Sequence, residues 1–223
     1  MFQNLLFDLD GTLTNSAEGI TKCVQYALQS MDIKEPDLEK LNAFIGPPLL
    51  DSFMKYYGLN REQSLYCVDK YRERYTDIGI WENRPYAGIL ELLQDLKQDE
   101  RKIGMATAKP EVFAVRISER YGMNPYMEDI TGCDLEGKMN DKALVVAKAL
   151  EKWNITTPEA KAKTFLIGDR EHDVFAAHAN DIPCIGVGYG FAHPGELKAA
   201  KVDYYAEDMA VLRKLLLGLA RLK

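Results

Sequence analysis

The stretch Leu5-Leu6-Phe7-Asp8-Leu9-Asp10-Gly11-Thr12-Leu13 decides how this chain is read. A short apolar run, the size of a strand, ends in two acids with one residue between them, and a glycine turn follows. Packing gives no reason for such an ending. Residues i and i+2 of a strand point the same way. Two like charges at one strand tip repel, and that favours the protonated form of at least one unless a cation neutralises them. A hard divalent ion does so, and it prefers oxygen ligands. The arrangement predicts an active site with one carboxylate to attack, another to handle protons, and a metal between the site and a phosphate.

The 223 residues suit one large domain, or one domain carrying an insert. The chain is 47% hydrophobic and 28% charged, with 16 glycines and 9 prolines, which excludes a fibrous or disordered protein. A formal charge of -6 argues against a nucleic acid polymer or an anionic membrane as partner, because both call for a basic surface. An anionic substrate must then be attracted by a local cluster of cations. The four cysteines, Cys23, Cys67, Cys133 and Cys184, are unevenly spaced and form no CxxC or zinc pattern, so reduced, packed thiols are expected. No basic-then-apolar leader opens the sequence, and Asp8 and Asp10 would interrupt one. No apolar run approaches the ~18 residues of a membrane span. These features predict a cytoplasmic protein with no membrane partner, as a monomer or homodimer.

Two textures divide the chain. From about Lys102 onward, short apolar strands alternate with amphipathic helices. The strands are expected at Ile103–Ala106, Thr164–Ile167, Ile182–Val187 and Tyr204–Tyr205. Ala143, Val146, Ala147 and Leu150 mark one apolar helix face, as do Leu212, Leu215, Leu216 and Leu219 near the C-terminus. Strands alternating with helices predict an α/β fold with a parallel sheet. In such sheets the ligand crevice lies outside the carboxyl ends of the strands. Residues 15–82 read instead as a helical insert without a convincing strand. Placed directly after the first strand, it is expected to hang over the Asp8/Asp10 crevice as a lid. The core is then 1–14 with 83–223.

Three further segments bear on the site. In Phe165-Leu166-Ile167-Gly168-Asp169-Arg170-Glu171-His172-Asp173, another apolar strand runs into acids. Taken alone, these aspartates could simply cap a helix. Paired with Asp8 and Asp10, they would put four acids at one rim, which calls for Mg²⁺. In Met105-Ala106-Thr107-Ala108-Lys109-Pro110, a strand ends in a hydroxyl residue, and Pro110 suits the first turn of a helix. Thr107 and its neighbouring N–H groups could cap that helix or bind a phosphate oxygen. A site holding several carboxylates and a phosphate also needs a cation besides the metal. Lys142, at the start of the next helix, is the stronger candidate and Lys138 the weaker one.

Taken together, DxDGTL after the first strand, the Thr of the second motif, the lysine and GDxxxD resemble the motifs of haloacid dehalogenase (HAD) superfamily phosphatases. The similarity covers essentially the whole chain and is greatest to the phosphoglycolate-phosphatase-like branch, which carries a helical cap. Softer matches are Phe44-Ile45-Gly46-Pro47-Pro48-Leu49, Pro85-Tyr86-Ala87-Gly88 and Gly186-Val187-Gly188-Tyr189-Gly190. The resemblance implies a Rossmann-like parallel core with an inserted α-helical cap. It implies that Asp8 is the nucleophile and that Asp10 is the general acid and then base, its backbone carbonyl also reaching the metal. Thr107 and Lys142 hold the phosphoryl, beside the phosphate-binding positions Gly11, Thr12 and Ala108. Asp169 binds Mg²⁺ directly, and Asp173 binds it directly or through water. Ala108 departs from the Asn or Ser that relatives often carry there, and the third motif lacks the common Lys-Pro pair.

The implied function is Mg²⁺-dependent hydrolysis of a small phosphorylated metabolite through an aspartyl phosphate. Phosphoglycolate, a nucleoside monophosphate and pyrophosphate are all candidate substrates. A sugar-phosphate mutase of the same fold would use the same aspartates, and a non-catalytic phosphate-binding protein is the alternative from another class. His172 reads as an exposed loop residue and Asp69–Tyr75 as a solvated helix face. Phe44, Phe53, Tyr56 and Tyr57 read as insert core.

Overall fold

The computed structural model describes residues 2–135 and 141–218. The run Leu5-Leu6-Phe7 is buried throughout, as a strand covered on both faces of a sheet should be. It lies in β1 (Asn4–Phe7), which pairs in parallel with β4 (Lys102–Pro110) on one side and β6 (Thr164–Gly168) on the other. Beyond β4 lies β5 (Asp129–Cys133), and beyond β6 lie β7 (Cys184–Val187) and β8 (Tyr204–Ala206). The result is a six-stranded sheet in the order β5-β4-β1-β6-β7-β8, with every pairing parallel. This is the α/β architecture the alternating textures predict.

The register positions the site. Phe7 lies level with Met105 and Ile167. Asp8 and Asp169 therefore leave the carboxyl ends of two adjacent strands, and Thr107 lies beside them late in β4. The strand order also reverses around β1, where such sheets bind ligands.

The helices connecting these strands are α4 (Ile89–Gln98), α5 (Glu111–Arg120), α6 (Lys142–Lys152), α7 (Pro158–Lys161), α8 (Glu171–Ala179) and α9 (Glu196–Ala199), and α10 (Met209–Leu216) follows the last strand. Val145, Val146, Ala149 and Leu150 of α6 join Leu6, Leu166, Val174 and Ala177 in one core. Asp141 caps α6 by accepting from the Ala143 N–H at 2.8 Å. Two strand ends differ from expectation by more than one residue. β4 continues to Pro110, so Pro110 precedes α5 and does not occupy its first turn. β7 starts at Cys184 because the Ile182 N–H closes the end of α8 on the Ala177 carbonyl and Pro183 cannot donate to a ladder. Lys138 and Leu219 lie outside the described residues.

The chain forms two compact units, Met1–Thr14 with Pro85–Lys223, and Asn15–Arg84. The chain enters the second at β2 (Thr14–Asn15) and leaves it at β3 (Arg84–Pro85). The second unit contains α1 (Ala17–Gln29), α2 (Leu49–Tyr57) and α3 (Arg61–Tyr75). Phe44 and Phe53 pack edge-on at 4.9 Å in its core. Tyr56 is exposed, since consecutive helix residues point about 100° apart and Tyr57 takes the inner position. The run Asp69–Tyr75 is likewise only partly solvated. Tyr71 and Tyr75, at i and i+4, stack in the core at 5.2 Å, and Arg74 forms a fork with Glu82 at 2.7 and 3.1 Å. Among the described residues no helix is long and apolar enough to cross a membrane.

Candidate active site

Asp8 follows β1, and its N–H still donates to the Ile167 carbonyl at 2.8 Å. Beyond it the chain turns sharply, with the N–H groups of Leu13 and Thr14 on the Leu9 carbonyl and Gly11 at φ +82°. Gly11 has a second constraint, because a Cβ there would lie 2.2 Å from Asp169 Oδ2. Asp169 is enclosed on other sides too. Its Oδ2 accepts from the Phe191 N–H at 2.7 Å, its Oδ1 accepts from Thr12 Oγ1 at 3.4 Å, and Gly190 leaves room for its Cβ. Gly11 and Thr12 thus lie against Asp169. Tyr189 braces the same turn by donating its hydroxyl to the Thr12 carbonyl at 3.1 Å, and its ring meets Tyr86 edge-on at 4.8 Å.

Asp173 lies in the first turn of α8, where its Oδ2 accepts from the Arg170 N–H at 3.0 Å. Gly168 makes this possible, since a Cβ there would overlap the Asp173 carboxylate. Asp173 thus caps the start of α8 and also brings a carboxylate oxygen beside Asp8 and Asp169. Lys142, in the first turn of α6, lies 2.7 Å from Asp8 Oδ2 and also pairs with Asp173. Thr107 is buried, and its hydroxyl favours the ionised form of Asp8. Ala108 offers no polar side chain and packs on the core.

One carboxylate oxygen from each of Asp8, Asp169 and Asp173 lies within 4.8 Å of the others, and all three residues are buried. Burial pushes the Asp8 carboxyl above its usual range, with the Asp173 charge adding to this and Lys142 opposing it. Burial raises Asp169 further, with the charges of Asp173 and Asp8 adding. Burial by itself would lower the Lys142 ammonium, but Asp173 and Asp8 outweigh it and raise it. One lysine thus serves three buried acids, and Asp8 Oδ1 is buried with no hydrogen-bond partner. This is an all-oxygen donor set short of positive charge, and it fits a hard divalent cation.

Asp10 stands apart from this trio. Its Oδ2 lies 2.6 Å from Lys109 Nζ, and the pair is buried. Nothing in the linear pattern around Lys109 points to this pairing. A second unread pair is Arg170 with Glu196. The Glu196 carboxylate accepts from Arg170 Nε at 2.7 Å and from the N–H groups of Glu171 at 2.9 Å and His193 at 3.0 Å. His172 is half-buried rather than exposed; burial, then the Arg170 charge, lowers its imidazole below the usual value.

The profile of the family described as haloacid dehalogenase-like hydrolase matches residues 5–187. A 5'-nucleotidase from Pseudomonas aeruginosa is 42% identical over 215 residues, covering 96% of each chain. A protein from Mycobacterium tuberculosis named tyrosine-protein kinase PtkA is 33% identical over 216 residues, covering 96% of this chain and 72% of that one. The solved structure of a predicted phosphatase from Clostridium acetobutylicum superposes with a TM-score of 0.92 at 42% identity, covering 98% of this chain and 99% of that one.

Proposed function

Since the chain belongs to the haloacid dehalogenase-like hydrolases and is a phosphatase of that family, we propose that it hydrolyses a small phosphorylated metabolite through a phosphoryl group carried on Asp8. The observation that supports this most is the meeting of Asp8, Asp169, Asp173 and Lys142 at the carboxyl ends of β1 and β6. Asp8, Asp169 and Asp173, with the Asp10 backbone carbonyl, are the groups that hold Mg²⁺. Bound there, Mg²⁺ supplies positive charge that lets an anionic carboxylate approach an anionic phosphate.

The protein's own groups divide the rest. An Asp8 carboxylate oxygen attacks phosphorus, and the bond from phosphorus to the ester oxygen breaks. Asp10 gives its proton to that oxygen, and the alcohol leaves. Asp10 then takes a proton from water as the water attacks phosphorus, the Asp8–phosphorus bond breaks, and Asp8 is restored. Splitting hydrolysis this way replaces one hard step with two easier ones. Lys142 and Thr107 steady the transferring phosphoryl, since such reactions ask a protein mainly for position and charge. The unit Asn15–Arg84 acts as the cap that selects the substrate. Nucleoside 5'-monophosphates come first among substrates, on the likeness to the Pseudomonas aeruginosa 5'-nucleotidase.

The test is phosphate release from 4-nitrophenyl phosphate and a panel of phosphorylated metabolites, with and without Mg²⁺, by the wild type and Asp8→Asn. Activity is expected only with Mg²⁺ and only in the wild type. Hydrolysis that survives either removal overturns the proposal.

A further inference from the structure

β4 does not end cleanly. Thr107 pairs with Gly132 and Pro110 with Cys133, so Ala108 and Lys109 bulge out of the ladder with β5. A bulge re-aims the side chains it carries. Two local contacts fix this one. The Lys109 N–H donates to Thr107 Oγ1 at 3.2 Å, and Gly132 leaves room for the Lys109 carbonyl, which would lie 2.6 Å from a Cβ at that position. The bulge delivers Lys109 Nζ to Asp10 Oδ2 at 2.6 Å. The other oxygen, Asp10 Oδ1, is buried with no hydrogen-bond partner.

We infer that Lys109 is a positioning residue, holding Asp10 by Oδ2 so that Oδ1 is the oxygen that gives and takes the proton. A buried acceptor without a partner is unfavourable in the resting protein. A water that donates to Oδ1 relieves that, and so does an ester oxygen that accepts from Oδ1 once it carries the proton, so the unpartnered atom faces the position it serves. Without Lys109 the carboxylate turns about its last torsion, which is broad for aspartate, and the proton is presented in no fixed direction.

The inference rests on the assignment of Asp10 as proton donor, and one experiment separates the two. Benzyl phosphate and 4-nitrophenyl phosphate have similar shapes. Nitrophenolate departs as an anion, whereas benzyl alkoxide needs a proton. The wild type, Lys109→Met, Lys109→Arg and Asp10→Asn are compared on both, with kcat and KM separated. Lys109→Met is expected to lose about tenfold more kcat/KM, which reports the step in which the alcohol leaves, on benzyl phosphate than on 4-nitrophenyl phosphate, a part of the 10²–10⁴ that acid–base catalysis supplies, with Lys109→Arg recovering much of the loss. An equal loss on both esters, or none, overturns the role of Lys109 if Asp10→Asn still discriminates between them. If Asp10→Asn fails to discriminate, the assignment of Asp10 falls, and the inference falls with it. A merely structural role for Lys109 would lower both rates together.

Discussion

Asp169 spends stability on function. It is buried beside Asp8 and Asp173, and burial first, then their charges, hold its carboxyl well above the usual range. The sign of the consequence follows from linkage. The unfolded chain releases this proton near the ordinary value, about 3.9. The folded chain releases it only at higher pH, so the group costs stability as pH rises between those two points. In the metal-free protein at neutral pH, Asp169→Asn is therefore expected to raise stability, on the order of 1 kcal/mol, while abolishing turnover. Denaturant unfolding in the presence of a chelator checks this, and a less stable Asp169→Asn contradicts it. The same anomaly made Asp8, Asp10 and Asp169 legible in the sequence, since acids at the tips of apolar strands serve no packing purpose. Lys109 was not legible. Its path to Asp10 depends on a bulge set by Gly132 on a different strand, and no local pattern announces that.

At the scale of elements, two loops that hold the acids are tied together by one side chain. Glu196, at the start of α9, accepts from Arg170, Glu171 and His193, so the loop carrying Asp169 and Asp173 is clamped to the one that follows Gly190. Burial would raise the Glu196 carboxyl, but Arg170 and the two backbone N–H groups outweigh it and hold it below the usual range. The clamp's contribution is thus full above the ordinary glutamate value of about 4.3 and is lost as pH falls through the lowered one. Glu196→Gln is expected to cost about 1–3 kcal/mol near neutral pH, as weakening hydrogen bonds to a charged group does, and the difference from wild type should shrink in acid. Thermal unfolding of both proteins across pH checks this; a cost that does not shrink in acid contradicts it. The body of α6 was readable from the apolar spacing of Ala143, Val146 and Leu150. The end of β4 was not, because Lys-Pro after Thr107 reads equally as a turn and as an irregular strand.

Across the whole molecule, the alternation of strands and helices was legible where a strand is a short apolar run, as in β1, β4, β6 and β7, but not at β5, whose Asp129-Ile130-Thr131-Gly132-Cys133 carries no such run. The order of the strands was not, since the pairing of β1 with both β4 and β6 joins residues about a hundred and more apart in sequence. That pairing gathers Asp8, Asp169, Asp173 and Lys142 from three segments. A cation held by the three carboxylates would stabilise the folded chain alone, by RT ln(1 + [L]/Kd), or about 2.7 kcal/mol at a hundredfold excess over Kd. Mg²⁺ is therefore expected to raise Tm by several degrees in the wild type and by much less in Asp169→Asn, as differential scanning calorimetry would show. Equal shifts in the two would place the ion elsewhere.

The most direct test of the central claim is to mix the enzyme with Mg²⁺ and a ³²P-labelled phosphomonoester, quench in acid within the first turnover, and map the label. The expected result is phosphate bound covalently to the peptide that contains Asp8, absent without Mg²⁺ and absent in Asp8→Asn. Label on another residue, or full turnover by Asp8→Asn, would contradict it.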